Sequence, residues 1–356
     1  MKKRKLLIID KHRFGNLTDS YKWCEYLRNK WDITIVCYKA EENIKKIDNI
    51  KLKEFPVIKN RELRGALFIL FCMLNILIFR GAIMVVYFEK CILLKKIFQK
   101  KTMLLDIRSL AVSKNKQIRQ NYNDNIIRTC KIYDFISVIS EGVKQQINLP
   151  QKRIYILPLG SDIISTNPKN FQNLKLLYVG TLSNRNIEKT ILGLSIFFKE
   201  HPHINLSYDI VGDGYNNELV ELKEFSKSLK LDSKITFHGR IQHSQLKSFF
   251  DKCNIGVSFI PITEYFNNQP PTKSFEYILS GLYTIATKTT ENKKIISSAN
   301  GILINDTAED FANALSILLY QKSSITEQQI RLSLNNFTWN KIVNNNLESI
   351  LNEICY

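Results

Sequence analysis

The feature that most narrows what this chain can fold into is a rhythm. Short apolar runs alternate with helical segments from one end to the other: LLII (6–9), ITIVCY (33–38), IMVVYF (83–88), MLLDI (103–107), LKLLYV (174–179), INLSYDIV (204–211), IGVSFI (255–260), YTIAT (283–287) and GILI (301–304). A strand buried on both faces is apolar almost throughout, whereas a half-exposed strand alternates, and parallel neighbours need a crossover long enough to hold a helix. The rhythm therefore predicts doubly wound parallel sheets of the α/β class. At 356 residues the chain exceeds one average core and suits two domains. The turn PLGSD and the polar STNPKNFQN behind it are the best linker, which predicts a first domain over 1–165 and a second over 166–337.

One apolar block, ALFILFCMLNILIFRGAIMVVYF, invites reading as a membrane span. Arg80-Gly81 divides it into two pieces, each shorter than the ~20 residues that cross a bilayer. We expect a buried helix, Arg64 to Phe79, followed by a strand from Ile83. The opening MKKRKLLIID has too short an apolar core for an export signal and reads as a first strand.

The net charge of +18 is segregated. Residues 1–165 hold 32 Lys+Arg against 15 Asp+Glu, or +17, and residues 166–356 hold 19 against 18, or +1. A basic first domain is attracted to anionic lipid or to nucleic acid phosphates, and a solvated basic surface accounts for part of the excess. No helix-turn-helix, zinc or RNP pattern accompanies the charge, so nucleic acid is not an expected partner. The seven cysteines are odd in number and without C-x-x-C spacing, as expected of buried thiols in a reducing cytosol with no zinc site.

The densest local signal is FNNQPPTKSFEYILSG, 266–281. Proline is favoured at a helix start because its missing N–H has no partner there anyway, so a helix should begin near Thr272. Its first N–H groups at Thr272 to Ser274, its dipole and the Lys273 ammonium then face one point, an arrangement that holds a diphosphate. An ordinary proline-started helix with a solvated Lys and Glu fits the stretch equally well by itself. GTLSNRN follows the strand LKLLYV and carries one cation, Arg185, which can grip phosphate oxygens bidentately. In IVGDGYNN, Gly212 permits close approach, and in FHGRI the backbone of Arg240 and Ile241 can meet a planar base. In the first half, the loop with Gly15 and Asn16 and the strand end with Asp106 and Arg108 lie where a parallel sheet binds ligands. A plain turn and a cap of the next segment are the competing readings of those two.

In that order, YVGTL…R, IVGDG, ITFHGRI, CNIGVSFIP, QPPTKSFEYILSGLYTIAT and GILI resemble the donor domain of family-four retaining glycosyltransferases of the GT-B fold, with the match strongest from Leu174 to Ile304. The resemblance implies two Rossmann-like domains facing a central cleft, with the final segment, about 338–356, crossing back onto the first domain near Trp339. It implies that Arg185 and Lys273 neutralise the donor diphosphate as it leaves, and that Glu276 binds the ribose. Thr181 stands where many members have Arg, and Asn268 where the family has the first glutamate of its pair, the usual contact to the transferred sugar. Thr272 and Ser274 would add helix-end contacts to the donor, Gly15, Asn16, Asp106 and Arg108 would face the acceptor, and no metal would be needed.

The expected reaction is retaining hexosyl transfer from a UDP- or GDP-linked sugar to a saccharide or lipid-linked saccharide, in bacterial capsule, O-antigen or exopolysaccharide synthesis. The expected setting is the cytoplasm, with the basic first domain peripheral on the inner membrane face. A sugar-nucleotide epimerase of the same architecture and a non-catalytic GT-B scaffold are the nearest rivals. A dinucleotide oxidoreductase is disfavoured because no strand leads into G-x-G-x-x-G.

Overall fold

The computed structural model describes residues 3–39 and 47–355; Tyr356, the last residue of the expected terminal helix, lies outside them. The chain divides into two compact units, Met1–Gly160 with Trp339–Tyr356, and Ser161–Thr338. The linker Pro-Leu-Gly-Ser-Asp thus contains the division between Gly160 and Ser161.

Unit 1 holds seven parallel strands: β1 (Arg4–Arg13), β2 (Trp31–Tyr38), β3 (Ile50–Phe55), β4 (Ala82–Val86), β5 (Met103–Ile107), β6 (Phe135–Val138) and β7 (Ile154–Ile156). Their order is β3-β2-β1-β4-β5-β6-β7. Unit 2 holds six: β8 (Leu174–Val179), β9 (Leu206–Val211), β10 (Ile235–Gly239), β11 (Ile255–Ser258), β12 (Tyr283–Thr287) and β13 (Gly301–Ile304), in the order β10-β9-β8-β11-β12-β13. Each sheet starts in its middle, grows to one edge and then to the other. Right-handed crossovers place the helices of the two directions on opposite faces. That double cover explains why every residue of β4, β5, β11 and β12 is buried.

Three sequence expectations need correction. IKLKEF (50–55) was not foreseen as a strand; β3 is the sheet edge and only half-buried, so it carries lysines where inner strands carry Val and Ile. The apolar helix runs Arg61–Ile78, and it is not buried: Phe68, Ile69, Cys72 and Ile76 face inward while Leu63, Leu70, Leu74, Leu77 and Ile78 lie at the surface. The inward face rests on aromatic contacts of Phe68 with Tyr38, Phe55 and Phe88. Among the cysteines, Cys355 is exposed and the other six are buried.

The C-terminal run returns to unit 1 as helix Trp339–Ile342, a π-helical turn Val343–Leu347 and helix Glu348–Ile354. Trp339 is 2% exposed and packs on Gly160, where a Cβ would stand 2.4 Å from the indole ring. Lys30 pairs with Glu348 at 2.6 Å, and Arg153 pairs with Glu353.

Candidate functional site

In unit 2 the strand order reverses between β8 and β11, and the loops leaving their carboxyl ends diverge. That divergence opens the crevice in which parallel sheets bind ligands. Arg185 stands in the loop that follows β8, and the loop that follows β11 leads into helix Thr272–Leu279. The topology therefore brings Arg185 and Lys273 to the same rim.

The helix start is fixed from beneath. Pro271 is the extended N-cap residue, and Ser274 Oγ sits 2.7 Å from Ser258 Oγ and 3.0 Å from Asn292 Oδ1. Ser274 is wholly buried, so its side chain anchors the helix rather than reaching a ligand. Its N–H donates to the Pro271 carbonyl, which leaves helix-end donation to Thr272 and Lys273.

The Lys273 ammonium is the unusual group. It is buried, lies 3.9 Å from the centroid of the Tyr178 ring, and has no hydrogen-bond acceptor. Arg185 lies over the Phe266 ring at 4.2 Å and is close enough for its charge to act on Lys273. Burial above all, then the Arg185 charge, pushes the Lys273 pKa well below its ordinary value, with Glu276 opposing. Two neighbouring cations, one sunk beneath the surface without an acceptor, cost stability unless an anion joins them.

Beside them is a cavity of about 380 Å³ lined by Gly180, Thr181, Gly212, Asp213, Tyr215, Arg240 and Ile241 among others. Gly180 joins the two features: a Cβ there would stand 3.0 Å from the Lys273 ammonium. Thr181 is exposed, and its hydroxyl donates to the Asp213 carbonyl at 3.4 Å. Glu276 is at the far side of the helix's first turn, 3.1 Å from His243 Nε2. Asn268 lies half-buried in the turn that precedes the two prolines. Its neighbour Asn267 ties that turn down, accepting from Thr290 N–H at 2.8 Å.

The rim of unit 1 is built differently. Gly15 has φ +89°, a conformation that favours glycine, and Asn16 N–H closes the turn onto the Arg13 carbonyl at 3.0 Å. Asp106 is fully buried, accepts from Ser137 at 2.7 Å, and has its pKa raised to about 6 by desolvation, against the opposing pull of Arg108. Arg108 pairs with Asp19 and donates to the Leu157 carbonyl at 2.9 Å. Asp106 and Arg108 thus engage one another's surroundings, and Asp106 offers no accessible surface. The same strand end carries a group the sequence did not signal: Asp10 accepts from Ser20 and stands 2.6 Å from His12 Nδ1, which raises the His12 pKa.

Residues 162–336 match the family described as glycosyl transferases group 1. Unit 2 is a glycosyl transferases group 1 domain. No curated protein matches the chain. Solved structures do: sucrose-phosphate synthase of Thermosynechococcus elongatus, at 15% identity and TM-score 0.74, covers 99% of this chain and 99% of its own. HepE of Anabaena, in complex with UDP and glucose, has 13% identity and TM-score 0.76 over 98% of this chain and 100% of its own. The lipopolysaccharide outer core galactosyltransferase WaaB has 16% identity and TM-score 0.71 over 97% and 99%. At such identities the likeness establishes the fold, and the fold is GT-B.

In this glycosyltransferase domain the expected residues Arg185, Lys273, Thr181, Gly212, Arg240 and Ile241 all lie on the rim of one sheet. Four further residues shape the site and were not singled out: Gly180, Tyr178, Phe266 and His243. Phe266 was legible only as an apolar loop residue. Tyr178 was indistinguishable from core, and in fact is both core and platform, since its hydroxyl also donates to the Thr181 carbonyl at 2.6 Å.

Proposed function

We propose that this glycosyltransferase moves a hexose from a uridine or guanosine diphosphate sugar to a hydroxyl of a saccharide or lipid-linked saccharide, with retention at the anomeric carbon. The observation that carries the reading is the acceptor-less ammonium of Lys273, buried beside Arg185 at the mouth of a nucleoside-sized cavity. In this reading the diphosphate lies across Lys273, Arg185 and the first N–H groups of the helix. As the bond from the anomeric carbon to the diphosphate oxygen breaks, the electron pair stays on the diphosphate and these groups stabilise it. Glu276 accepts from the ribose hydroxyls, the backbone of Arg240 and Ile241 meets the base, and Asn268 offers its amide to the sugar. Uridine is the first base to test, because the HepE structures hold UDP, UDP with glucose, and UDP-glucose. Synthesis of a bacterial surface polysaccharide is the role we assign to this chemistry.

The test is a thermal-shift panel of UDP-, GDP- and dTDP-sugars followed by turnover with the stabilising donor. Arg185→Ala combined with Lys273→Ala should abolish turnover while the far-UV spectrum stays unchanged. Undiminished activity of the double variant would sink the assignment.

A further inference from the structure

The Arg61–Ile78 helix leaves an apolar edge in solvent. Leu63, Leu70, Leu74, Leu77 and Ile78 recur at three- and four-residue steps down one side and are between 51% and 78% exposed. A soluble surface seldom carries five large aliphatics in one row, since each would gain about 1.5–3 kcal/mol by burial. The only uncharged polar side chain on the helix, Asn75, donates its amide to the Phe71 carbonyl at 2.8 Å and so offers the outside nothing. The next helix, Ile92–Ile97, packs beside it and exposes Leu93 and Ile97 as well.

Charge frames this edge. Lys59 and Arg61 at one end, and Arg80, Lys96 and Lys100 toward the other, are all exposed. The helix's single acid, Glu62, stays in its first turn. We propose that this helix lies in the plane of an anionic bilayer, with Leu70, Leu74, Leu77 and Ile78 in the acyl boundary and the flanking lysines and arginines at the lipid phosphates. The chemistry favours lipid over a protein partner. An aliphatic row without aromatic or polar anchors carries little to specify a protein surface, whereas an apolar face fringed with cations is the pattern of interfacial helices. Among the described residues no helix is long and apolar enough to cross a membrane, which leaves attachment in the plane.

The inference stands apart from the reaction, and its test uses no donor. The full-length protein is floated with phosphatidylcholine vesicles with and without phosphatidylglycerol, at low and high salt. Binding should need the anionic lipid and weaken with salt. Leu70→Ser with Leu74→Ser should cut partitioning by roughly ten-fold per leucine replaced, and Lys96→Gln with Lys100→Gln should remove most of the salt dependence. Both variants should keep the wild-type unfolding midpoint and any nucleotide-induced thermal shift. Flotation equal in the leucine variant and wild type, or no binding to either vesicle, would overturn the proposal. So would a wild-type dimer in light scattering that the leucine variant dissociates, because the edge would then be an interface between copies.

Discussion

A single missing methyl group decides how β8 and β9 end. Gly212 has φ +155°, and a Cβ there would stand 1.8 Å from the Gly180 carbonyl oxygen, a backbone atom that cannot swing away. Gly212→Ala should therefore cost more than ~3 kcal/mol in urea unfolding and distort the cavity wall; a change below half that value would show the two loops to be pliant. Lys273 offers a second test. Its pKa lies below the unfolded value near 10.5, so between the two values the unfolded chain holds more protons. Stability from this group consequently rises with pH across that window, the reverse of a lysine that gains a partner on folding. A diphosphate restores the charge, so nucleotide binding in that window should take up protons. Titration calorimetry of UDP in buffers of different ionisation enthalpy would detect the uptake in wild type and its loss in Lys273→Met; equal proton counts would refute it. The sequence placed Lys273 and Arg185 correctly on neighbouring loops because proline and strand-end rules are local. It did not reveal that the ammonium is sunk against Tyr178, or that Arg185 rests on Phe266, since those contacts join loops far apart in the chain.

At the scale of elements, the inner strands were legible because burial on both faces writes them as unbroken apolar runs. β3 and helix Lys116–Ile132 escaped for the converse reason: the strand is an edge, and the helix buries only Ile126, Thr129 and Cys130, so neither carries a strong apolar period. The Arg61–Ile78 helix was found but misjudged, because apolar composition alone does not distinguish a core helix from one facing lipid. The terminal helical run was expected from its resemblance to a crossing helix, and its seat is now specific. Trp339 fills the space over Gly160, so Trp339→Ala should lower the stability of unit 1 by about 3–5 kcal/mol. Denaturant titration with a probe confined to unit 1 measures it, and a shift under 1 kcal/mol would show that the run is held by its ion pairs instead.

Such a probe exists at the scale of the whole molecule. The three tryptophans, Trp23, Trp31 and Trp339, all belong to unit 1, whereas helices and strands fill both units. Tryptophan emission therefore reports unit 1 alone, and far-UV dichroism reports the two together. If the donor nucleotide binds unit 2, saturating UDP should raise the dichroism transition by more than the emission transition, since a ligand stabilises what it binds by RT ln(1 + [L]/Kd). A shift confined to emission would move the nucleotide site to the other unit.

The sequence by itself determined the class of the fold, the parallel character of its strands, the segregation of positive charge into the first half and the loops that carry Arg185 and Lys273. These depend on local pattern, on apolar runs, proline positions and counts of charge. Only the tertiary structure decided which buried polar groups lack partners, which glycines bear a backbone against them, and which side of an apolar helix meets the core. Those depend on segments distant in the chain coming together, and no local pattern of residues encodes what will stand opposite them.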